Sequence, residues 1–188
     1  MKNLRRIGLY GVKGVGKTTI LKEVNKLTSN AVWLEGAKLV LDAAKLPLTE
    51  FKKLPKDKKH LFREQAIEKA IEVQSKMNKH ILIDGHLVFP KGEDEFENVM
   101  TDKDNLFYTD FVYLVFPPKV ILQRQKDDLI KKRIYSLKTI KNWIEFEMSE
   151  LEKVCELYKI NLHILSAKSN SDCINFILNL INPNNNAE

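Results

Sequence analysis

Residues Gly11-Val12-Lys13-Gly14-Val15-Gly16-Lys17-Thr18 fill every fixed position of the pattern G-x-x-x-x-G-K-[ST]. The pattern has a physical meaning. Glycines let the backbone curl tightly, so that successive N–H groups converge on phosphate oxygens. A helix that starts at the end of such a loop adds unpaired N–H donors and a partial positive charge. Lys17, at a solvent-facing mouth, can reach the β- and γ-phosphates of a nucleotide. The Thr18 hydroxyl suits Mg²⁺, and Thr19 suits packing or an α-phosphate. Gly11, Gly14, Val15, Gly16, Lys17, Thr18 and Thr19 are therefore the expected nucleotide-binding residues, with ATP and Mg²⁺ as the expected cofactors.

Three further groups carry chemistry beside this loop. Ile81-Leu82-Ile83-Asp84 is an apolar run ending in a carboxylate, followed by Gly85-His86. At a strand end Asp84 can hold Mg²⁺ through water or accept from a substrate hydroxyl. His86 falls in the same mouth and is a candidate substrate contact. Arg124-Gln125-Lys126-Asp127-Asp128 leads to Lys131-Lys132-Arg133, a cationic stretch. Transfer of a phosphoryl group calls for movable positive charge over the γ-phosphate, and the arginine fork supplies it. Arg124 and Arg133 are the candidates, with Lys17 and Asp84 completing the catalytic set. His60, His80 and His163 belong to no constellation.

These residues need a scaffold that brings them together. Residues 4–10, 31–34, 80–84, 111–116 and 160–165 read as strands, and several are continuous apolar runs of the kind a doubly covered parallel sheet requires. Helical patterns separate them. Residues 17–29 place Ile20, Leu21, Val24 and Leu27 on one face. Phe62, Ala66, Val73 and Met77, flanked by Ile67 and Ile71, mark a long helix, and Pro117-Pro118 opens another. Ile140, Ile144, Met148, Leu151, Cys155 and Tyr158 form one stripe; Cys173, Phe176, Ile177, Leu180 and Ile181 form the next. Strand–helix alternation predicts an α/β fold with a parallel sheet and right-handed crossovers, and ligands beyond the carboxyl ends of its strands. Residues 45–60 and 90–109 are poor in core residues and read as insertions or flaps.

Whole-chain properties narrow the class. At 188 residues a single domain is expected. The balance of 31 basic against 25 acidic residues gives a charge of +6. The lysines are scattered, apart from a cluster at Lys52, Lys53, Lys56, Lys58 and Lys59, and fit a solvated face better than a nucleic-acid surface. The two cysteines, Cys155 and Cys173, lie on apolar stripes and read as core thiols; neither they nor the four histidines have metal-ligand spacing. No apolar run reaches membrane-span length, and the N-terminal apolar stretch enters the phosphate loop directly. A cytoplasmic protein with no membrane partner is expected. The GTPase base motif N-K-x-D is missing, and Asp84-Gly85-His86-Leu87 is not D-x-x-G. Val12 stands where some cytoskeletal-type ATPases place a second lysine.

Residues 11–19, Ile83-Asp84-Gly85-His86 and Val120-Ile121-Leu122-Gln123-Arg124-Gln125-Lys126-Asp127 together resemble the nucleoside monophosphate kinases, in particular archaeal-type adenylate kinase. The resemblance runs over most of the chain. It implies a three-layer P-loop NTPase fold, with a five-stranded parallel sheet of order 2-3-1-4-5, an acceptor flap at about 36–63 and a lid at about 124–139. It implies transfer of the ATP γ-phosphoryl to a nucleoside monophosphate. Residues 11–19 would hold the ATP phosphates, Asp84 would organise Mg²⁺, and Arg124 with Arg133 would stabilise the transferring group. The departures fall at the acceptor. Lys52 and Lys53 stand where the family has a flap arginine, Phe89-Pro90-Lys91 where another is expected, and Ala37 where a flap acid is usual. Lys52, Lys53, Arg63, His86 and Lys91 are thus the expected acceptor contacts. Other expectations consistent with the sequence are a kinase of a nucleoside, another small molecule or an RNA end, and a nucleotide-binding accessory protein with weak ATPase activity.

Overall fold

A computed structural model of the chain describes residues 4–128, 135–166 and 169–182. Five strands form one parallel sheet: β1 (Arg6–Tyr10), β2 (Ala31–Glu35), β3 (His80–Asp84), β6 (Asp110–Val115) and β7 (Asn161–Ser166), in the order β2-β3-β1-β6-β7. A short hairpin, β4 (Val88–Pro90) and β5 (Phe96–Asn98), intervenes in the chain. Counted among the sheet's own strands, the order is 2-3-1-4-5, as the resemblance implies. Helices α1 (Lys17–Leu27), α2 (Gly36–Ala44), α3 (Leu48–Lys53), α4 (Lys56–Met77), α5 (Asp102–Phe107), α6 (Pro118–Asp127), α7 (Leu137–Tyr158) and α8 (Asn170–Ile181) surround it. This is the three-layer α/β fold of P-loop NTPases.

The central strands explain where a site must form. Leu9 in β1 and Ile81, Leu82 in β3 are fully buried, as are Phe111, Val112 and Tyr113 in β6. Both faces of these strands are covered, which suits their unbroken apolar runs. The pairing register sets Leu9 beside Asp84 and Glu35 beside Asp84. The carboxyl ends of β1, β2 and β3 therefore finish level, and Asp84 emerges next to the turn that follows Tyr10.

Burial on the helices follows the predicted stripes except on α4 and at Leu27 of α1, which is exposed. On α7 Ile140, Leu151 and Cys155 are buried, and on α8 Cys173, Ile177 and Ile181. Both cysteines are free core thiols, and burial raises the pKa of each to about 11. On α4 the inward face is Ala66, Ile67 and Ala70, whereas Ile71 and Met77 are exposed. Small alanines allow α4 to lie close to α2, a contact that a search for large apolar residues overlooks.

The stretch 90–109, read from the sequence as an insertion or flap, has secondary structure of its own. Thr101 and Asp104 form a capping box at the start of α5, whose Phe107 is buried. The hairpin rides on α7: Phe96 stacks on Phe146 with centroids 5.1 Å apart, and Asn98 donates to Glu150 at 3.2 Å. Lys138 pairs with Asp94 at 3.0 Å, and Asn142 also donates to Asp94. Strands of three residues have too few alternations to show a period of two, so the hairpin left no readable pattern. The stretch 45–60 likewise contains α3 and the first turn of α4, anchored by the buried Phe51.

Candidate functional site

The loop 11–18 curls as its glycines permit. Gly14 and Gly16 adopt φ of 91° and 108°, in the left-handed region that side chains resist. Val12 and Val15 turn inward and are buried, which fixes the loop to the core, and the Val15 N–H donates to the Val12 carbonyl at 3.3 Å. Two side chains of α6 brace it from outside. Arg124 Nη1 donates to the Val15 carbonyl at 2.7 Å, and Gln125 Nε2 donates to the Lys13 carbonyl at 2.6 Å. The Arg124 guanidinium also sits 4.4 Å over the Phe116 ring. Lys13 lies 4.7 Å over Phe89 of the hairpin.

Lys17 departs from expectation. Its side chain is only 8% exposed, and Nζ donates to the Gly11 carbonyl and, at 3.4 Å, to that of Val12. The ammonium lies folded back against its own loop rather than at a solvent-facing mouth. Thr18 Oγ1 donates to Asp84 Oδ2 at 2.8 Å, and Asp84 Oδ1 accepts from the Gly36 N–H at 3.1 Å. A Cβ on Gly36 would collide with the Asp84 carbonyl, so only glycine lets α2 begin this close to β3. A hydroxyl and a carboxylate converging beside a cradle of N–H groups are the hard oxygen donors that Mg²⁺ prefers.

One cavity of about 840 Å³ extends from this loop to α2, α3 and α4. Lys17, Thr18, Thr19, Asp84 and Arg124 line one end, with Lys52, Arg63 and His86 among the residues further along. Lys53 and Lys91 are outside the lining. Lys53 pairs with Glu50 at 2.8 Å and Lys91 with Glu97 at 3.5 Å, so neither ammonium is brought to the cavity. Arg133 lies outside the described residues.

Beside Arg63, which the sequence reading named, the lining includes Tyr10, Asp104, Tyr108 and Asn170, which left no mark in that reading. Arg63 loses proton affinity through burial, a loss opposed by the charges of Asp104 and Glu97. Burial raises the Asp104 carboxyl against the hydrogen bonds from Thr101 that hold it down. Tyr10 and Tyr108 meet edge-on at 6.2 Å, and burial raises both phenols. Asn170, at the start of α8, lies beside Gly16 and Arg124. The capping box T-x-x-D at Thr101–Asp104 was the one readable signal among these. The tyrosines and Asn170 are assembled by tertiary contacts alone.

Residues 10–143 match the family described as AAA domain. The chain belongs to that family. No curated protein matches it. Among solved structures, the shikimate kinase from Acinetobacter baumannii in complex with shikimate is similar, with a TM-score of 0.58 at 16% identity, over 98% of this chain and 97% of that one. The shikimate kinase from Bacteroides thetaiotaomicron gives a TM-score of 0.57 at 16% identity, over 95% and 98%. At this identity the likeness is one of fold. This AAA domain thus shares the architecture of P-loop kinases from end to end, with the cavity just described at the carboxyl ends of its strands.

Proposed function

We propose that this AAA domain is an ATP-dependent P-loop kinase that transfers the γ-phosphoryl group to a small acceptor, best read as a nucleoside monophosphate, in the cytoplasm. One observation carries the reading. A single cavity joins a phosphate loop with its Thr18–Asp84 pair to a further part lined by Arg63 and Lys52, with Asp104 and Glu97 acting on Arg63. A site that only bound or hydrolysed a nucleotide would have no use for that further part.

The residues divide the work. The N–H groups of residues 11–18 and Lys17 hold the β- and γ-phosphates, and Thr18 with Asp84 would hold Mg²⁺. Mg²⁺, when bound, neutralises charge on the phosphates. Arg124, together with Arg133 from the sequence reading, balances charge on the transferring group. Arg63 and Lys52 orient the acceptor's anionic group, and His86 lines the same cavity. No side chain becomes covalently modified; alignment and charge neutralisation supply the rate.

A second reading has its own support. A guanidinium serves a carboxylate as well as a phosphate, and a neighbour in fold is a kinase in complex with shikimate. A carboxylated polyol is therefore the alternative acceptor. A coupled assay of ADP formation decides between them, with ATP against each common nucleoside monophosphate and against shikimate. Turnover with a monophosphate is the expected result. No acceptor-dependent ADP with any of them overturns the kinase reading.

A further inference from the structure

Glu147 is an acid for which the proposed reaction has no role, yet it lies directly behind the phosphate loop. It sits on α7 and is 0% exposed. Oε1 accepts from the Leu87 N–H at 3.2 Å, and the Val88 N–H also faces the carboxylate. Oε2 has no hydrogen-bond partner among the described residues. A carboxylate buried with one oxygen unmatched is costly unless a cation stands near. The Lys17 ammonium donates to the Gly11 and Val12 carbonyls rather than to Glu147, but its charge acts on the carboxylate, and the Tyr113 hydroxyl also favours the ionised form. The other titratable groups facing it are the Tyr113 hydroxyl from β6 and Tyr10 from β1. On α7 itself Trp143 is one turn away, also fully buried, with its indole N–H unmatched.

The two charges have unequal freedom. Glu147 is fixed by the backbone of residues 87–88. Lys17 has a long stem and donates to carbonyls of its own loop, so it must redirect to meet a polyphosphate. When it does so, the carboxylate loses part of its balancing charge and gains a polyanion nearby. Both changes favour its neutral form.

We propose that Glu147 is a positioning residue for Lys17: ionised, it draws the ammonium inward, and it takes a proton from solvent as a polyphosphate draws the ammonium outward. The inference rests on residues 11–18 binding polyphosphate. Burial raises Glu147 to about 7, against the opposing effect of Lys17. Around pH 7.5 the acid is thus poised to gain a proton on binding. Nucleotide affinity then falls as pH rises above about 7, because the unliganded form must recover a proton it no longer holds.

The test is calorimetry with the Mg²⁺ complex of a non-hydrolysable ATP analogue, at pH 7.5 in buffers of different ionisation enthalpy. The wild-type protein is expected to take up a large fraction of a proton. Glu147→Gln still accepts from the Leu87 N–H but cannot titrate, so its uptake should drop by that fraction. Relative to this variant, wild-type affinity should weaken by about tenfold between pH 6.5 and 8.5. Equal uptake by both folded proteins overturns the proposal, since a purely structural role would leave the proton count unchanged. Should the variant not fold, ¹³C-carboxyl NMR of the wild-type protein replaces it. The Glu147 resonance should move to its protonated position when the analogue is added at pH 7.5, and a resonance that stays put overturns the proposal. Analogue binding without either response refutes the role of Glu147 alone; no binding at all refutes the kinase reading with it.

Discussion

The Thr18 hydroxyl and Asp84 Oδ2 are 2.8 Å apart although 66 residues separate them in the chain. The parallel pairing of β1 with β3 makes this contact, by setting Leu9 level with Asp84 just before the loop begins. The Gly36 N–H occupies the other carboxylate oxygen. Asp84 is therefore held in place before any metal arrives. Asp84→Asn keeps the shape and removes the charge. On the kinase reading kcat should fall by at least ~10²-fold with the fold intact. Steady-state rates across a Mg²⁺ titration check this, and full activity would leave Asp84 as a strand-end cap.

Lys17→Ala should abolish measurable binding of Mg·ATP in calorimetry. Its effect on stability departs from the sequence expectation of a solvent-facing side chain. Removing the ammonium takes away a charge that holds the buried Glu147 carboxyl down. Lys17→Ala should therefore melt earlier than wild type at pH 8, and adding Glu147→Gln should restore most of the loss. Equal melting temperatures for the single and double variants would contradict that effect.

Arg124 has two attachments, the Val15 carbonyl and the Phe116 ring. Lysine keeps the charge but cannot donate in a plane while stacking. For Arg124→Lys a fall in kcat on the order of 10²-fold is expected, with a much smaller change in ATP affinity. Comparing turnover with direct binding separates the two. A wild-type kcat would reduce Arg124 to a brace of the loop.

Asp110 offers a stability test remote from the chemistry. It is fully buried at the amino end of β6, with His163 at 3.0 Å, Thr109 at 2.7 Å and Arg5 at 2.7 Å. Burial pushes its carboxyl upward, but the bonds from His163 and Thr109 and the charge of Arg5 outweigh it, and the net shift is downward. A lowered acid stabilises the fold above the ordinary carboxyl range, and that gain is lost as pH falls through the folded value. Asp110→Asn should therefore lower the melting temperature at pH 7 and matter progressively less toward pH 3. Thermal melts across that range would show a constant deficit if the charge were irrelevant.

The acceptor end is tested by hydrogen exchange. A cognate acceptor should protect residues 36–63, which supply Lys52 and Arg63 to the cavity. Protection confined to another region would remove the flap from the acceptor site.

The sequence made the donor end legible because local geometry builds it. Residues 11–18 are contiguous, their glycines have one conformational purpose, and Asp84 ends an apolar strand. The acceptor end was legible only in part. Arg63 and Lys52 reach the cavity, but Lys53, one position on, turns to Glu50, and Lys91 turns to Glu97. Both lysines are exposed, and charge composition cannot tell which of the two borders the cavity. Glu147 was overlooked for a different reason: it falls seven residues after Ile140 and four before Leu151, on the buried face of α7, but an acid there breaks the apolar stripe and draws no notice.

Helix α7 touches the hairpin through Phe146 and Glu150, and the region behind the phosphate loop through Glu147. The hairpin in turn supplies Phe89, Pro90 and Glu97 to the cavity wall. One turn of α7 thus holds both the hairpin and the acid near Lys17. Turning the helix about its long axis to widen one end would also displace the acid near Lys17. On the kinase reading, acceptor preference and nucleotide affinity would then be geared to each other. A variant selected for a bulkier acceptor through changes on α7 would arrive with an altered grip on ATP.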